Sequence, residues 1–205
     1  KVVLTMSVAL TVGGAVIFRI TEDMPWIGAL FNSVTARTAG FSTYSLGEFS
    51  NAGLLAMIFL MFVGASPGST GGGIKTSTLF ALIQGIKTAA TNTSGKAFHY
   101  SVPHGVFRKA SVIAVMGISV IAVGTFMLCA FEPDIAIRDA LFEMTSAFGT
   151  VGLTTGITTG LCTASKLTSI VMMYIGRLGP LTIATLWYFT NGDRIKYPDG
   201  NIAIG

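Results

Sequence analysis

Thr150-Val151-Gly152-Leu153-Thr154-Thr155 and Thr38-Ala39-Gly40-Phe41-Ser42-Thr43 are one pattern written twice, at an offset of 112 residues. The same offset carries Met61 onto Met173 and Gly64 onto Gly176. At an offset of 111, Phe31 falls on Phe142 and Ala36 on Ala147, so one residue is gapped. These matches sit at equivalent points of two hydropathy units, which makes them an internal repeat rather than chance apolar similarity. In the first unit Val2 to Ile20 is an apolar run without an acid, long enough to span a bilayer. It is too long for a signal-peptide core, and no small-residue cleavage pattern follows it. A short amphipathic segment, Trp26 to Ala36, precedes the first Thr/Gly stretch. An apolar segment, Ala52 to Phe62, then breaks at Gly64-Ala65-Ser66-Pro67-Gly68-Ser69-Thr70-Gly71-Gly72-Gly73 and resumes from Ile74 to Ile86. The second unit repeats this order. Val112 to Phe131 is a full span, Ile135 to Phe148 a short amphipathic segment, and Leu167 to Phe189 a long segment interrupted at Gly176-Arg177-Leu178-Gly179-Pro180. The two amphipathic segments are too short to cross and read as re-entrant half-helices.

Composition agrees. Of 205 residues, 51% are hydrophobic and 11% charged, and mean hydropathy is +0.70. A soluble globular chain carries about 25% charged residues. A chain this poor in charge cannot cover a water-facing surface, which excludes an ordinary cytosolic enzyme, a nucleic-acid binder and a disordered protein. Cys129 and Cys162 are far apart and form neither a disulfide framework nor a zinc site. The fold expected is all-α and membrane-integral: two tandem membrane helix–pore half-helix–membrane helix repeats with filter loops. The first repeat is expected over 1–88, with a broken inner helix. A cytoplasmic loop is expected over 89–105, and a second repeat with a cytoplasmic tail over 106–205.

Charge sets an expected orientation. The inter-repeat loop and its flanks, Thr88 to Gly105 at their centre, hold Lys87, Lys96, Arg108 and Lys109 without an acid, and the tail adds Arg194 and Lys196. The positive-inside rule places both in the cytoplasm. Seven of the nine acids (Glu22, Asp23, Glu48, Glu132, Asp134, Asp139 and Glu143) lie in or beside the half-helices. The half-helices then enter from outside, beneath an acid-lined mouth that would concentrate cations.

Irregular backbone at membrane depth is tolerated where it lines a water-filled cavity. The glycine in each Thr/Gly stretch permits the φ that turns successive carbonyls to one side. A ring of such carbonyls replaces the hydration shell of potassium, and the half-helix C-terminus aimed at it also favours a cation. The candidate filter residues are Thr38, Ala39, Gly40 and Phe41 in the first repeat, and Thr150, Val151, Gly152 and Leu153 in the second. The metal expected is potassium, held by filter carbonyls, with no transition-metal site.

Thr150-Val151-Gly152-Leu153 is similar to the potassium-channel filter without its Tyr-Gly ending. One glycine per filter, within degenerate repeats, resembles the Trk/Ktr/HKT superfamily of potassium transporters. Gly68-Ser69-Thr70-Gly71-Gly72-Gly73-Ile74-Lys75-Thr76 resembles the glycine-rich segment of the third repeat of bacterial Ktr and Trk membrane subunits. Gly176-Arg177-Leu178-Gly179-Pro180 resembles the arginine-bearing break of their fourth repeat, and Lys196-Tyr197-Pro198-Asp199-Gly200 a Ktr-type C-terminus. The resemblance implies a potassium uptake subunit of the bacterial inner membrane, multi-pass, with its C-terminus cytoplasmic. It implies that the filter glycines Gly40 and Gly152 favour potassium, with sodium as the second candidate ion. It also implies a homodimer of full-length subunits and a cytoplasmic RCK-type ring. Nucleotide would bind that regulatory partner and not this chain, which would bind no cofactor and no nucleic acid. The family folds four repeats around one pore, and this chain resembles repeats three and four, which implies half of a pseudo-fourfold pore. The expectation is that the N-terminal half lies outside the sequence, rather than that two chains combine.

The resemblance assigns a gate to Gly64, Ser66, Gly68, Ser69, Thr70, Gly71, Gly72 and Gly73, a loop that obstructs the pore below the filter, together with Arg177. An ionisable residue inside a span usually faces a cavity. Arg177 would repel potassium and hold the loop carbonyls, or cap the broken helix. Arg37, just before the first filter, is expected to brace the pore helix against an acid such as Glu143. Lys75 nearly completes a phosphate-binding P-loop motif, but Ile74 intervenes and no strand precedes, so it is placed near the inner end of the pore. His99 and His104 read as solvated, Asn92-Thr93-Ser94 as a sequon on the cytoplasmic side, and Trp26, Trp187 and Tyr188 as interface anchors. No nucleophile, base or metal cluster suggests an enzyme. The rival transport reading is an alternating-access, sodium-coupled cation symporter that binds at the broken helices. Such repeats would most naturally be inverted, whereas these two run the same way.

Overall fold

The computed structural model describes residues 1–91, 96–97, 100–101, 104–179 and 182. Pro180, Trp187, Tyr188, Arg194, the 196–200 tail, His99 and the 92–94 sequon lie outside the described residues. Among the described residues, seven α-helices carry the fold: α1 Val2–Thr21, α2 Trp26–Thr35, α3 Asn51–Phe62, α4 Thr76–Thr91, α5 His104–Phe131, α6 Ile137–Gly149 and α7 Thr163–Leu178. A hairpin of two-residue strands, β1 Lys96–Ala97 and β2 Tyr100–Ser101, lies between α4 and α5. Among the described residues the order in each repeat is long helix, short helix, irregular stretch and a further helix, which in the first repeat is broken between α3 and α4.

α1 and α5 are long and apolar enough to cross a bilayer. Their outer faces are apolar and open, with Leu4, Val12 and Ile20 on α1 and Val115, Ile118 and Phe126 on α5. Phe126 is 73% exposed, a cost in water that hydrocarbon removes. α5 begins at His104, eight residues before the expected span at Val112. No breaker follows Gly105, and the Arg108–Lys109 stretch favours helix, so the helix continues into the basic segment. α4 likewise continues to Thr91, so both helices run into the stretch expected to be a loop.

The two units pack through α3 against α6, while α1 packs on α2 and α3, and α5 on α6 and α7. One core gathers Phe18, Met57, Met61, Phe142 and Val151, and a second Leu128, Met144, Phe148 and Met172. Phe142 of the second unit lies in the core of the first, and Phe62 of the first stacks on Phe148 of the second at 6.2 Å. Neither unit is therefore buried by its own residues alone.

The ends of the two repeats that carry Glu22 and Glu132 are built alike. Glu22, after α1, accepts from Ser50 N at 3.2 Å and Ser50 Oγ at 2.6 Å, and Ser50 Oγ accepts from Gly53 N at 3.0 Å to cap α3. Glu132, after α5, accepts from Cys162 N at 2.6 Å at the start of α7. Both carboxylates satisfy amide donors at helix N-termini, where the dipole favours negative charge. That contact holds the Glu132 carboxyl below the usual carboxylate range, chiefly through the Cys162 amide. Asp23 pairs with Arg19 at 3.0 Å. The expected acid-lined mouth is thus partly spent on helix ends and local pairs.

Candidate functional site: two filter loops and a glycine loop

α2 and α6 end where the two Thr/Gly stretches begin, so each half-helix points its C-terminus at its own stretch. The stretches share a backbone signature. Thr38 and Gly40 have φ of +77° and +76°, and Thr150 and Gly152 have φ of +52° and +93°. Ala39 and Val151 lie between them without positive φ. Alternating handedness is a backbone pattern that can turn successive carbonyls to one side, which a carbonyl ion ligand set requires. The glycines announce their positions in sequence, whereas the left-handed threonines do not. Nothing in a threonine predicts a conformation that costs it about 1–2 kcal/mol.

Local hydrogen bonds hold the loops. Val151 N donates to Ser146 O at 3.0 Å, and Gly40 N to Thr35 O at 3.2 Å. Thr35 Oγ1 donates to Phe41 O at 2.6 Å, so the Phe41 carbonyl is engaged by the pore helix, and the ring beside it is exposed. Leu153 is buried in the first unit's core, while Ala39 and Gly152 are open. A Cβ on Gly40 would land on the Val151 carbonyl, so the two filter backbones are neighbours. A Cβ on Gly152 meets nothing within 4 Å.

Glu143 and Arg37 do not meet as expected. Glu143 takes the hydroxyls of Thr154 and Thr158, the latter at 3.0 Å, and so ties α6 to the chain leaving the second filter. Arg37 instead donates to Ser7 O at 3.2 Å, to Ser7 Oγ at 3.4 Å and to Thr11 Oγ1 at 3.4 Å, all on α1. The two residues belong to different repeats, and each finds partners within its own. At the repeat position matching Glu143 stands Asn32, fully buried, whose amide nitrogen donates to Gly28 O at 3.0 Å.

The break between α3 and α4 is a closed loop with a narrow neck. Ile74 N donates to Phe62 O at 3.0 Å, Val63 and Ile74 bridge, and a Cβ on Gly64 would land on the Gly72 carbonyl. Gly68 and Gly73 take positive φ, which lets the chain reverse. Pro67, Gly68, Ser69 and Thr70 protrude and are exposed, while Gly72 is buried. Ser66 Oγ lies 3.5 Å from Ser7 Oγ on α1.

The Gly71–Gly72 limb of this loop lies against both Thr/Gly stretches. Gly72 N donates to Thr150 Oγ1 at 2.8 Å. A Cβ on Gly71 would sit 3.0 Å from Thr38 Oγ1, and one on Gly72 would sit 2.7 Å from Phe148 O. Only glycine lets the loop approach this closely. Two cations hold its carbonyls: Arg177 Nη1 donates to Thr70 O, and Lys75 Nζ to Gly71 O at 2.5 Å. Arg177 stands in the last turn of α7, which ends at Leu178 with Gly179 at φ +86°. Gly176 sets its position, because a Cβ there would land on the Phe148 carbonyl and push α7 off the pore helix. The Lys75 contact follows from no motif, because its near-match to a phosphate loop points elsewhere.

The chain matches, over residues 2–194, the family described as TrkH: Cation transport protein. It is 35% identical over 184 residues to the Ktr system potassium uptake protein B of Bacillus subtilis, covering 89% of this chain and 41% of that protein. It is 36% identical to the protein of the same name from Vibrio alginolyticus, covering 91% of this chain and 41% of that protein. Against the potassium/sodium uptake protein NtpJ of Enterococcus hirae the identity is 35%, over 100% of this chain and 49% of the relative. The chain thus spans two fifths to one half of the length of these relatives. Its fold resembles that of the potassium transporter TrkH from Vibrio parahaemolyticus, with a TM-score of 0.72 and 21% identity over 92% of this chain and 43% of that one. Matched to that family over nearly its whole length, the chain belongs to the TrkH cation transport protein family.

Proposed function

We propose that this chain forms half of the pore wall of a potassium uptake protein, and that ions pass down their electrochemical gradient between backbone carbonyls of its filter loops. The filter ligands would come from Thr38, Ala39, Gly40, Thr150, Val151 and Gly152, with Phe41 and Leu153 shaping the outer turn. The repeats would be the units 1–88 and 106–205 joined through 89–105, with the basic joining segment and the C-terminus on the cytoplasmic side. The observation that carries the reading is the seat of the glycine loop, whose Gly71 and Gly72 lie against the threonines that open both filters. A loop there blocks the path, and the Arg177 and Lys75 contacts to its carbonyls keep it in place while adding positive charge below the filter. Ion entry then requires the loop to withdraw.

The names of the relatives support potassium as the ion, with sodium as a second ion on the strength of the NtpJ name. The word "system" in the Ktr names supports a membrane subunit that works with others, which we read as a homodimer contacted by a nucleotide-binding RCK-type ring. The alternating-access reading is weaker, because both units run in the same order, long helix before half-helix. The test is potassium uptake by a deficient strain that expresses the full-length gene, with Gly152→Ser as control. Restored uptake lost in Gly152→Ser supports a filter mechanism, and uptake indifferent to Gly152 refutes it.

A further inference from the structure

A groove runs down the outside of the seam between the two repeats, with α3 on one side and α5 and α6 on the other. It comprises two cavities of about 430 and 370 Å³ that share Leu55, Ile58 and Leu141. The inner end reaches Phe62 and Ile118, and the outer end Asn51 and Arg138. Its walls are apolar throughout the inner part. The hydroxyl of Thr145, which lines it, is already donated to Leu141 O at 2.7 Å. A peptide backbone laid here would find no partner for its amides, a penalty of several kcal/mol per unsatisfied group in a membrane. A hydrocarbon chain needs none. Leu55 and Ile118 are 64% and 58% exposed, so the groove is open along its length.

The outer end differs in kind. Arg138, in the first turn of α6, is half-exposed above the groove. Its Nη1 donates to Asn51 Oδ1 at 3.1 Å across the seam, and its Nε lies 3.6 Å from Asp139 Oδ2. The guanidinium has five N–H donors in a fork, so donors remain for an anion, and the fork matches a phosphate. We propose that the seam is a phospholipid site. One acyl chain lies in the groove between α3 and the α5–α6 pair, and the lipid phosphate is held by Arg138. The lipid belongs to the leaflet on the side from which the half-helices enter. Cation and apolar trench are stacked in the order of a phospholipid's own parts, which is the charge complementarity that selects this occupant. A chain in the groove would end against Phe62, which stacks on Phe148 of the pore helix and whose carbonyl closes the neck of the glycine loop.

The experiment uses the full-length protein reconstituted with dioleoylphosphatidylglycerol, then stripped in mild detergent and weighed intact by native mass spectrometry. Wild type should keep a bound phospholipid, and Arg138→Ala should lose it, with retention falling about fivefold for one half-exposed charge-assisted contact. Asn51→Ala breaks the same contact within the protein but spares the cation, and should retain lipid. Arg108→Ala, at the opposite end of α5, should also retain it. Repeating the series with dioleoylphosphatidylethanolamine asks whether the phosphate suffices or net negative charge is needed; retention by either lipid that depends on Arg138 supports the site. Three results overturn it: Arg138→Ala retaining lipid as wild type does, Asn51→Ala losing as much as Arg138→Ala, or no lipid on wild type, as when protein covers the groove. Thermal unfolding of each variant separates these results from misfolding.

Discussion

Replacing Arg177 with alanine should raise potassium flux. The guanidinium donates to the Thr70 carbonyl in the exposed part of the glycine loop, and no acid among the described residues offsets its charge. A hydrogen bond from a charged donor contributes about 1.5–3 kcal/mol. Arg177 is exposed and water competes for it, which discounts the contact to about 1–1.5 kcal/mol. At 1.4 kcal/mol per factor of ten, the seated loop loses roughly 5- to 10-fold in population relative to the withdrawn one. Removing a cation from below the filter acts in the same direction. Lys75 still holds Gly71 O, and Gly72 N still donates to Thr150, so the loop is loosened and not freed. Arg177→Lys keeps the charge but loses the fork, and should fall between wild type and alanine. The assay is rubidium or potassium uptake into proteoliposomes at matched protein content, with folding checked by size-exclusion profile. Unchanged or abolished flux in well-folded Arg177→Ala would refute the barrier role and leave a helix-capping arginine.

The two filter glycines should respond differently. Gly40→Ala places a methyl on the Val151 carbonyl as well as straining φ, whereas Gly152→Ala meets only the φ penalty of about 1–2 kcal/mol; potassium-over-sodium selectivity of uptake should fall further in Gly40→Ala, and equal losses would contradict the packing. Gly176→Ala should lower the unfolding temperature, because the added methyl falls on Phe148 O and overpacking of this kind costs about 1–3 kcal/mol. Glu132→Gln should weaken the protein at neutral pH. The carboxyl is held below its ordinary pKa by Cys162 N–H, so its stabilisation is present above the unfolded pKa and is lost as pH falls through the folded one. Unfolding followed between pH 3 and 7 should therefore show a shallower acid slope in the variant, and parallel slopes would remove Glu132 from the linkage.

Repeat, span and break are properties of local composition, so the sequence alone determined them. An apolar run long enough for the bilayer must be helical to satisfy its own backbone. A stretch such as Gly64 to Gly73 cannot continue a helix, and the offset that aligns Gly40 with Gly152 is visible without coordinates. The loop contact of Arg177 was legible for the same reason, because an intramembrane cation must find oxygen. Partner choice was not legible. Glu143 chooses Thr154 and Thr158 instead of Arg37, and Arg37 chooses Ser7 and Thr11, because a side chain bonds what the fold brings within hydrogen-bonding reach and not what an alignment pairs with it. The left-handed threonines, the Lys75 contact to Gly71 and the seating of Gly72 on Thr150 were decided by tertiary structure alone. The seating of Gly72 on Thr150 depends on the approach of two segments far apart in the chain, an approach set by packing α3 on α6 and Gly176 on Phe148.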